Sequence, residues 1–109
     1  FAVMEAMEQA GVALGLSAEV ARRLTLQTAL GSAVLATQSG DAPATLRAQV
    51  TSPGGTTQAA LEVLQAGGLA RLFNEAIGAA NRRAGIEIDV KDRFRQGSQE
   101  QRLPLSRAF

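Results

Sequence analysis

Ala18-Glu19-Val20-Ala21-Arg22-Arg23-Leu24-Thr25-Leu26-Gln27-Thr28-Ala29-Leu30-Gly31-Ser32-Ala33-Val34-Leu35-Ala36-Thr37-Gln38-Ser39 reads as one uninterrupted helix, and it decides the fold class. Val20, Leu24, Gly31 and Leu35 form one apolar stripe, interrupted by Gln27 and Thr28, while Leu26, Leu30, Ala33 and Val34 form a second. A helix that is apolar most of the way round is expected to be covered on several sides. About 22 residues at the α-helical rise span roughly 33 Å. A chain of 109 residues is too short to cover that length, so part of the surface is expected to meet another subunit. Ser17 stands where an N-cap is needed, and Glu19 falls in the first turn, where the helix dipole favours a carboxylate. Gly40 supplies the stop.

On the amino-terminal side, Phe1, Met4, Met7, Val12 and Leu14 recur near helical spacing with Glu5 and Glu8 between them, which predicts a first helix ending at Gly15. On the carboxy-terminal side, Asp41-Ala42-Pro43 restarts a short helix that reaches about Val50. Ala59, Ala60, Leu61, Val63 and Leu64 mark another, closed by Gly67-Gly68. A last helix runs from Leu69 to about Ala84, with Leu69, Leu72, Phe73, Ala76, Ile77 and Ala80 expected inward and Arg82 and Arg83 in its final turn. Five helices and no convincing strand predict an all-α domain over residues 1–84. Residues 85–109 carry mixed charge and no sustained period, and are expected to be a flexible or partner-dependent tail.

Composition narrows the chemistry. The chain has neither cysteine nor histidine, which removes disulfides, thiolate metal ligands, thiol nucleophiles and the side chain most used for proton transfer near neutral pH. No metal site is expected. A net charge of +1 creates no field that argues for nucleic acid or an anionic membrane. No apolar run approaches the roughly 20 residues of a membrane span. Phe1 is neither an initiator Met nor the start of a signal-like segment, so the chain is expected to be soluble and truncated at its front.

The densest cluster of special residues is Thr51-Ser52-Pro53-Gly54-Gly55-Thr56-Thr57. Ser52 is placed to cap, and Pro53 suits a first helical position. Two successive glycines disfavour a helical turn by about 1 kcal/mol each, so they point to unusual dihedrals or a close backbone approach. N–H groups at a helix start would hold a carboxylate or phosphate without a charged side chain. The hydroxyls of Thr56 and Thr57 would orient a neighbouring polar atom. On spacing alone, a tight capped turn between two helices explains the segment better, because Ser-Pro-Gly-Gly is common turn material.

Other candidates are weaker. Glu62 and Glu75, like Glu5 and Glu8, have no evident carboxylate partner and read as solvated helix faces. Met4 and Met7 read as core filler, and Gly11 and Gly31 as sites of close helix packing. Residues Glu8 to Leu24, with Arg22 and Arg23, have the outline of a helix-turn-helix. The second helix is too long and too apolar to read bases.

Glu5-Ala6-Met7, Ala10-Gly11-Val12, Gly15-Leu16, Leu24, Gln27-Thr28 and Leu30-Gly31 resemble the dimerisation domain of pyrroline-5-carboxylate reductases. The resemblance rests chiefly on Val50 to Thr57, followed by Leu61, Leu64 and Gly67-Gly68-Leu69. It covers residues 1–84 and overrides the plain-turn reading. It implies reduction of the cyclic imine pyrroline-5-carboxylate to L-proline with NADPH or NADH, in the cytoplasm, by a homodimer or higher homo-oligomer of interlocking helical domains. Neither nucleic acid nor membrane is an expected partner. By the same resemblance the substrate carboxylate sits on backbone N–H groups around Ser52, Gly54, Gly55 and Thr56, and Thr57 acts as the catalytic residue that hydrogen-bonds the ring nitrogen. The Ser-Gly-rich stretch the family carries before this point is missing, and the tail has no counterpart. An amino-terminal dinucleotide-binding domain is therefore expected to be absent, leaving this fragment inactive alone. The competing expectations are a non-enzymatic helical oligomerisation module and, behind it, a helix-turn-helix DNA binder.

Overall fold

The computed structural model describes residues 1–85, and these are helical apart from short connections. Five helices follow in chain order: α1 (Ala2–Ala13), α2 (Ala18–Ser39), α3 (Pro43–Gln49), α4 (Thr56–Ala66) and α5 (Leu69–Ala84). No strand occurs among the described residues, so the all-α expectation holds. The expected tail lies outside the described residues from position 86 onward.

The chain divides within α4 into two units, residues 1–60 and 61–109. In the first, α1 turns back on α2 through Leu14 to Ser17. Gly15 adopts a φ of +106°, and the Leu16 N–H donates to Gly11 O at 3.1 Å. The Val20 N–H donates to Ser17 Oγ at 3.2 Å, which is the expected cap. Gly40 ends α2 in the left-handed conformation, and the Asp41 N–H donates to Ser39 Oγ at 3.2 Å. Pro43 opens α3 after an extended Ala42, because its missing N–H is no loss at a helix start.

The contact between α1 and α2 is built from small groups. A Cβ on Gly11 would stand 3.1 Å from the Ala21 Cβ and 3.4 Å from Leu16 Cδ1, so the bare glycine permits the approach. Ala21 is 2% exposed and Thr25 4%, and these are the buried residues of the described chain. Gly31 does not share this role, since a Cβ there would meet nothing within 4 Å.

The two apolar stripes of α2 differ from the expected covered faces. Val20, Leu24, Leu26, Leu30, Val34 and Leu35 all stay exposed, Leu30 at 59%. The face turned to α1 is instead the one bearing Ala21 and Thr25. Small side chains win there because they let two backbones approach, whereas leucines on that face would hold them apart.

In the second unit, Gly67 and Gly68 end α4: the Gly67 N–H donates to Val63 O at 3.0 Å and the Gly68 N–H to Gln65 O at 3.1 Å. The expected inward face of α5 is a correction. Leu69, Leu72, Phe73, Ala76, Ile77 and Ala80 are exposed, with Ile77 at 65%. The amphipathic pattern is present, but no helix among the described residues packs along it. Arg82 and Arg83 do occupy the last turn as expected.

Candidate functional site

Residues 50–55 join α3 to α4, and with the first turn of α4 they lie wholly within the first unit. Thr51 finishes α3: its N–H donates to Ala48 O at 3.2 Å and its Oγ1 to Arg47 O at 2.5 Å. Ser52-Pro53-Gly54-Gly55 then makes a reverse turn, closed by the Gly55 N–H donating to Ser52 O at 3.0 Å. Pro53 takes the second position, where its fixed φ fits, and Gly54 the third with a φ of +71°. That combination is the signature of a type II turn.

Two expectations are corrected by this geometry. Pro53 is not the first residue of the helix, which opens at Thr56, because the turn has to be completed before helical dihedrals begin. Ser52 is not the cap either. Its carbonyl closes the turn, while the side chain that reaches back to the loop is Gln58, whose Oε1 accepts the Gly54 N–H. From the third helical position Gln58 thus reaches back past Gly55, whose own N–H goes to Ser52 O, to the turn amide of Gly54.

The two glycines have separate reasons. Gly54 has open space around it but a left-handed dihedral, where a Cβ would be strained. Gly55 has no room: a Cβ there would fall 2.5 Å from Ser52 Oγ and 3.1 Å from Ser52 O. The serine hydroxyl can rotate away, but the carbonyl cannot.

The turn therefore brings Ser52, Gly54, Gly55, Thr56 and Thr57 together at the amino-terminal end of α4. Of the named amides, Gly55 and Gly54 already donate, to Ser52 O and Gln58 Oε1. The Thr56 and Thr57 N–H groups have no acceptor among the described residues, as the first amides of a helix do not. Thr57 is half-buried, and Thr56 and Ser52 are exposed. The free amides and the helix dipole make this end of α4 favourable to an anion, with no charged residue between Thr51 and Gln58. Gln58 is the residue that sequence reasoning missed, and its signal was a glutamine three residues after Gly55.

Just before this loop, Leu35, Ala36, Pro43, Leu46 and Val50, with Ser32, Arg47 and Gln49, line a mainly apolar groove of about 350 Å³ between α2 and α3. The described residues contain no strand leading through a Gly-rich turn into a helix. No helix of the described residues is long and apolar enough to cross a membrane.

An all-α domain whose leucine stripes stay uncovered among the described residues has the character of a helical assembly domain. Residues 1–86 match the family model for pyrroline-5-carboxylate reductase dimerisation, and the chain belongs to that family. It is 54% identical over 84 residues to a pyrroline-5-carboxylate reductase of Pseudomonas aeruginosa, a match covering 77% of this chain and 31% of that protein. A pyrroline-5-carboxylate reductase of Pisum sativum is 45% identical over 83 residues, covering 75% and 30%. Pyrroline-5-carboxylate reductase 2 of Bacillus subtilis is 40% identical over 91 residues, covering 84% and 32%. The chain thus spans about a third of the length of the curated relatives it matches.

Proposed function

We propose that this chain is the dimerisation and substrate-holding segment of a cytoplasmic reductase that converts pyrroline-5-carboxylate to L-proline in proline biosynthesis. The observation that carries the reading is the Ser52 to Thr57 turn at the start of α4, in a chain of this family. The substrate carboxylate binds at the positive end of α4, on the N–H groups of Ser52, Gly54 and Thr56, with Gly55 holding the turn that aims them. Gly55 belongs to the binding surface through its backbone, and its lack of a side chain leaves room for the Ser52 carbonyl that closes the turn. Thr57 Oγ1 accepts the N–H of the protonated ring, which favours the charged imine and fixes its orientation.

NADPH or NADH, when bound, supplies the hydride; its seat is outside the described residues, in an amino-terminal dinucleotide-binding domain. The residues here bind and orient the imine. Histidine and cysteine are not needed for that task. The uncovered faces of α2 and α5 are the surfaces by which two copies assemble into a homodimer, or into a larger assembly. Residues 1–84 are the helical dimerisation and substrate-binding domain in this reading.

The test is imine-dependent NAD(P)H oxidation by the full-length reductase carrying this segment. Thr57→Ala is expected to lower kcat/KM by about 10–100-fold, the worth of one hydrogen bond to a charged group. Thr57→Ser, which keeps the hydroxyl, retains most of the activity. Equal activity in Thr57→Ala and the parent would sink the role given to Thr57.

A further inference from the structure

Gln58 stands at the third position of α4, is half-buried, and its Oε1 accepts the Gly54 N–H. The reaction proposed above gives this side chain nothing to do, yet it occupies a donor which that reaction needs. An amide proton already held by one acceptor is not available to another. A carboxylate oxygen makes the same demand on Gly54 as the Gln58 carbonyl does, and makes it with a full charge. Charge-assisted hydrogen bonds are roughly twice as strong as neutral ones, so the substrate takes the N–H and the glutamine gives way.

We infer that Gln58 is a positioning residue, an internal stand-in for the substrate carboxylate that closes the Gly54 amide until substrate displaces it. The inference rests on the carboxylate site proposed above. Gln58 sets the affinity of the loop for a cyclic carboxylate while leaving the chemistry of the bound imine alone. It also spares the turn an unmet donor when nothing is bound, because an N–H at a helix start otherwise depends on water. A purely structural cap would have a different signature: its loss would lower stability and leave affinity unchanged.

The experiment compares Gln58→Met and Gln58→Glu with the parent in the full-length reductase, reading KM and kcat for the imine. Amide spectra of the 109-residue chain titrated with proline provide the second readout. Methionine removes the acceptor and keeps a good helix former, so KM falls by about threefold to tenfold with kcat unchanged, as loss of a competing hydrogen bond requires. Glutamate keeps the reach and adds a negative charge where the substrate brings its own, so KM rises at least about tenfold. Gln58→Ala repeats the methionine arm without bulk and excludes overpacking as the cause of a null result. If KM is unchanged or higher in both neutral variants while proline still shifts the Gly54 and Thr56 amides, Gln58 is only a cap and the inference is overturned. If proline shifts no loop amide in any chain, the carboxylate site itself is wrong and the inference goes with it.

Discussion

Gly54 and Gly55 are adjacent and chemically identical, yet the fold asks different things of them. Gly54 needs a left-handed dihedral in open space, and Gly55 needs the absence of a Cβ beside the Ser52 carbonyl. Gly54→Ala is therefore expected to lose about 1–2 kcal/mol of stability in thermal or denaturant unfolding, the usual strain of an alanine in that region. Gly55→Ala is expected to displace the turn itself and to raise the KM for the imine more than Gly54→Ala does. Kinetics of the two variants in the full-length enzyme check this ordering. The sequence announced that both glycines mattered, because a Gly-Gly pair at a helix start is otherwise unfavourable. It did not show which constraint fell on which residue, since that depends on where the Ser52 carbonyl points.

Helix boundaries were almost entirely legible, and the reason is local chemistry. Ser17, Gly40, Pro43, Gly67-Gly68 and Gly85 each start or stop a helix through their own dihedrals or side chains, without help from distant residues. Ser17→Ala is expected to cost about 1 kcal/mol by removing the acceptor for the Val20 N–H, readable as a lower unfolding midpoint. The exception was the start of α4, where Ser-Pro-Gly-Gly serves equally as a capped helix entry or a reverse turn. Gly54 chose the turn by going left-handed, and Gln58, not Ser52, became the side-chain acceptor in the loop. The packing of α1 on α2 was half legible: Gly11 was marked for close approach, but its partner Ala21 was hidden among louder leucines. A double-mutant cycle of Gly11→Ala and Ala21→Gly is expected to give a coupling of at least about 0.5 kcal/mol, as for residues in direct contact. Zero coupling in denaturant unfolding would mean that the two helices do not meet there.

At the scale of the whole molecule, the described residues bury little more than Ala21 and Thr25, while Leu30, Leu35, Leu72, Phe73 and Ile77 stay exposed. Such faces are costly to leave in water, at about 25 cal/mol per Å² of apolar area. The chain is expected to run as a dimer or larger by light scattering, with an unfolding midpoint that rises with protein concentration. Leu30→Glu or Ile77→Glu should shift it toward monomer, because a charge on a buried face is far less tolerated than one in solvent. A monomer whose midpoint ignores concentration would overturn the assembly role given to these faces. The sequence by itself determined the helices, their ends apart from the start of α4, and the loop that carries the proposed site, because periodicity and capping are encoded within a few residues of one another. Only the tertiary structure decided which face of α2 met α1, that the large apolar stripes found no cover within the described residues, and that Gln58 had taken the Gly54 amide. Those outcomes depend on distances between groups that the order of residues does not fix.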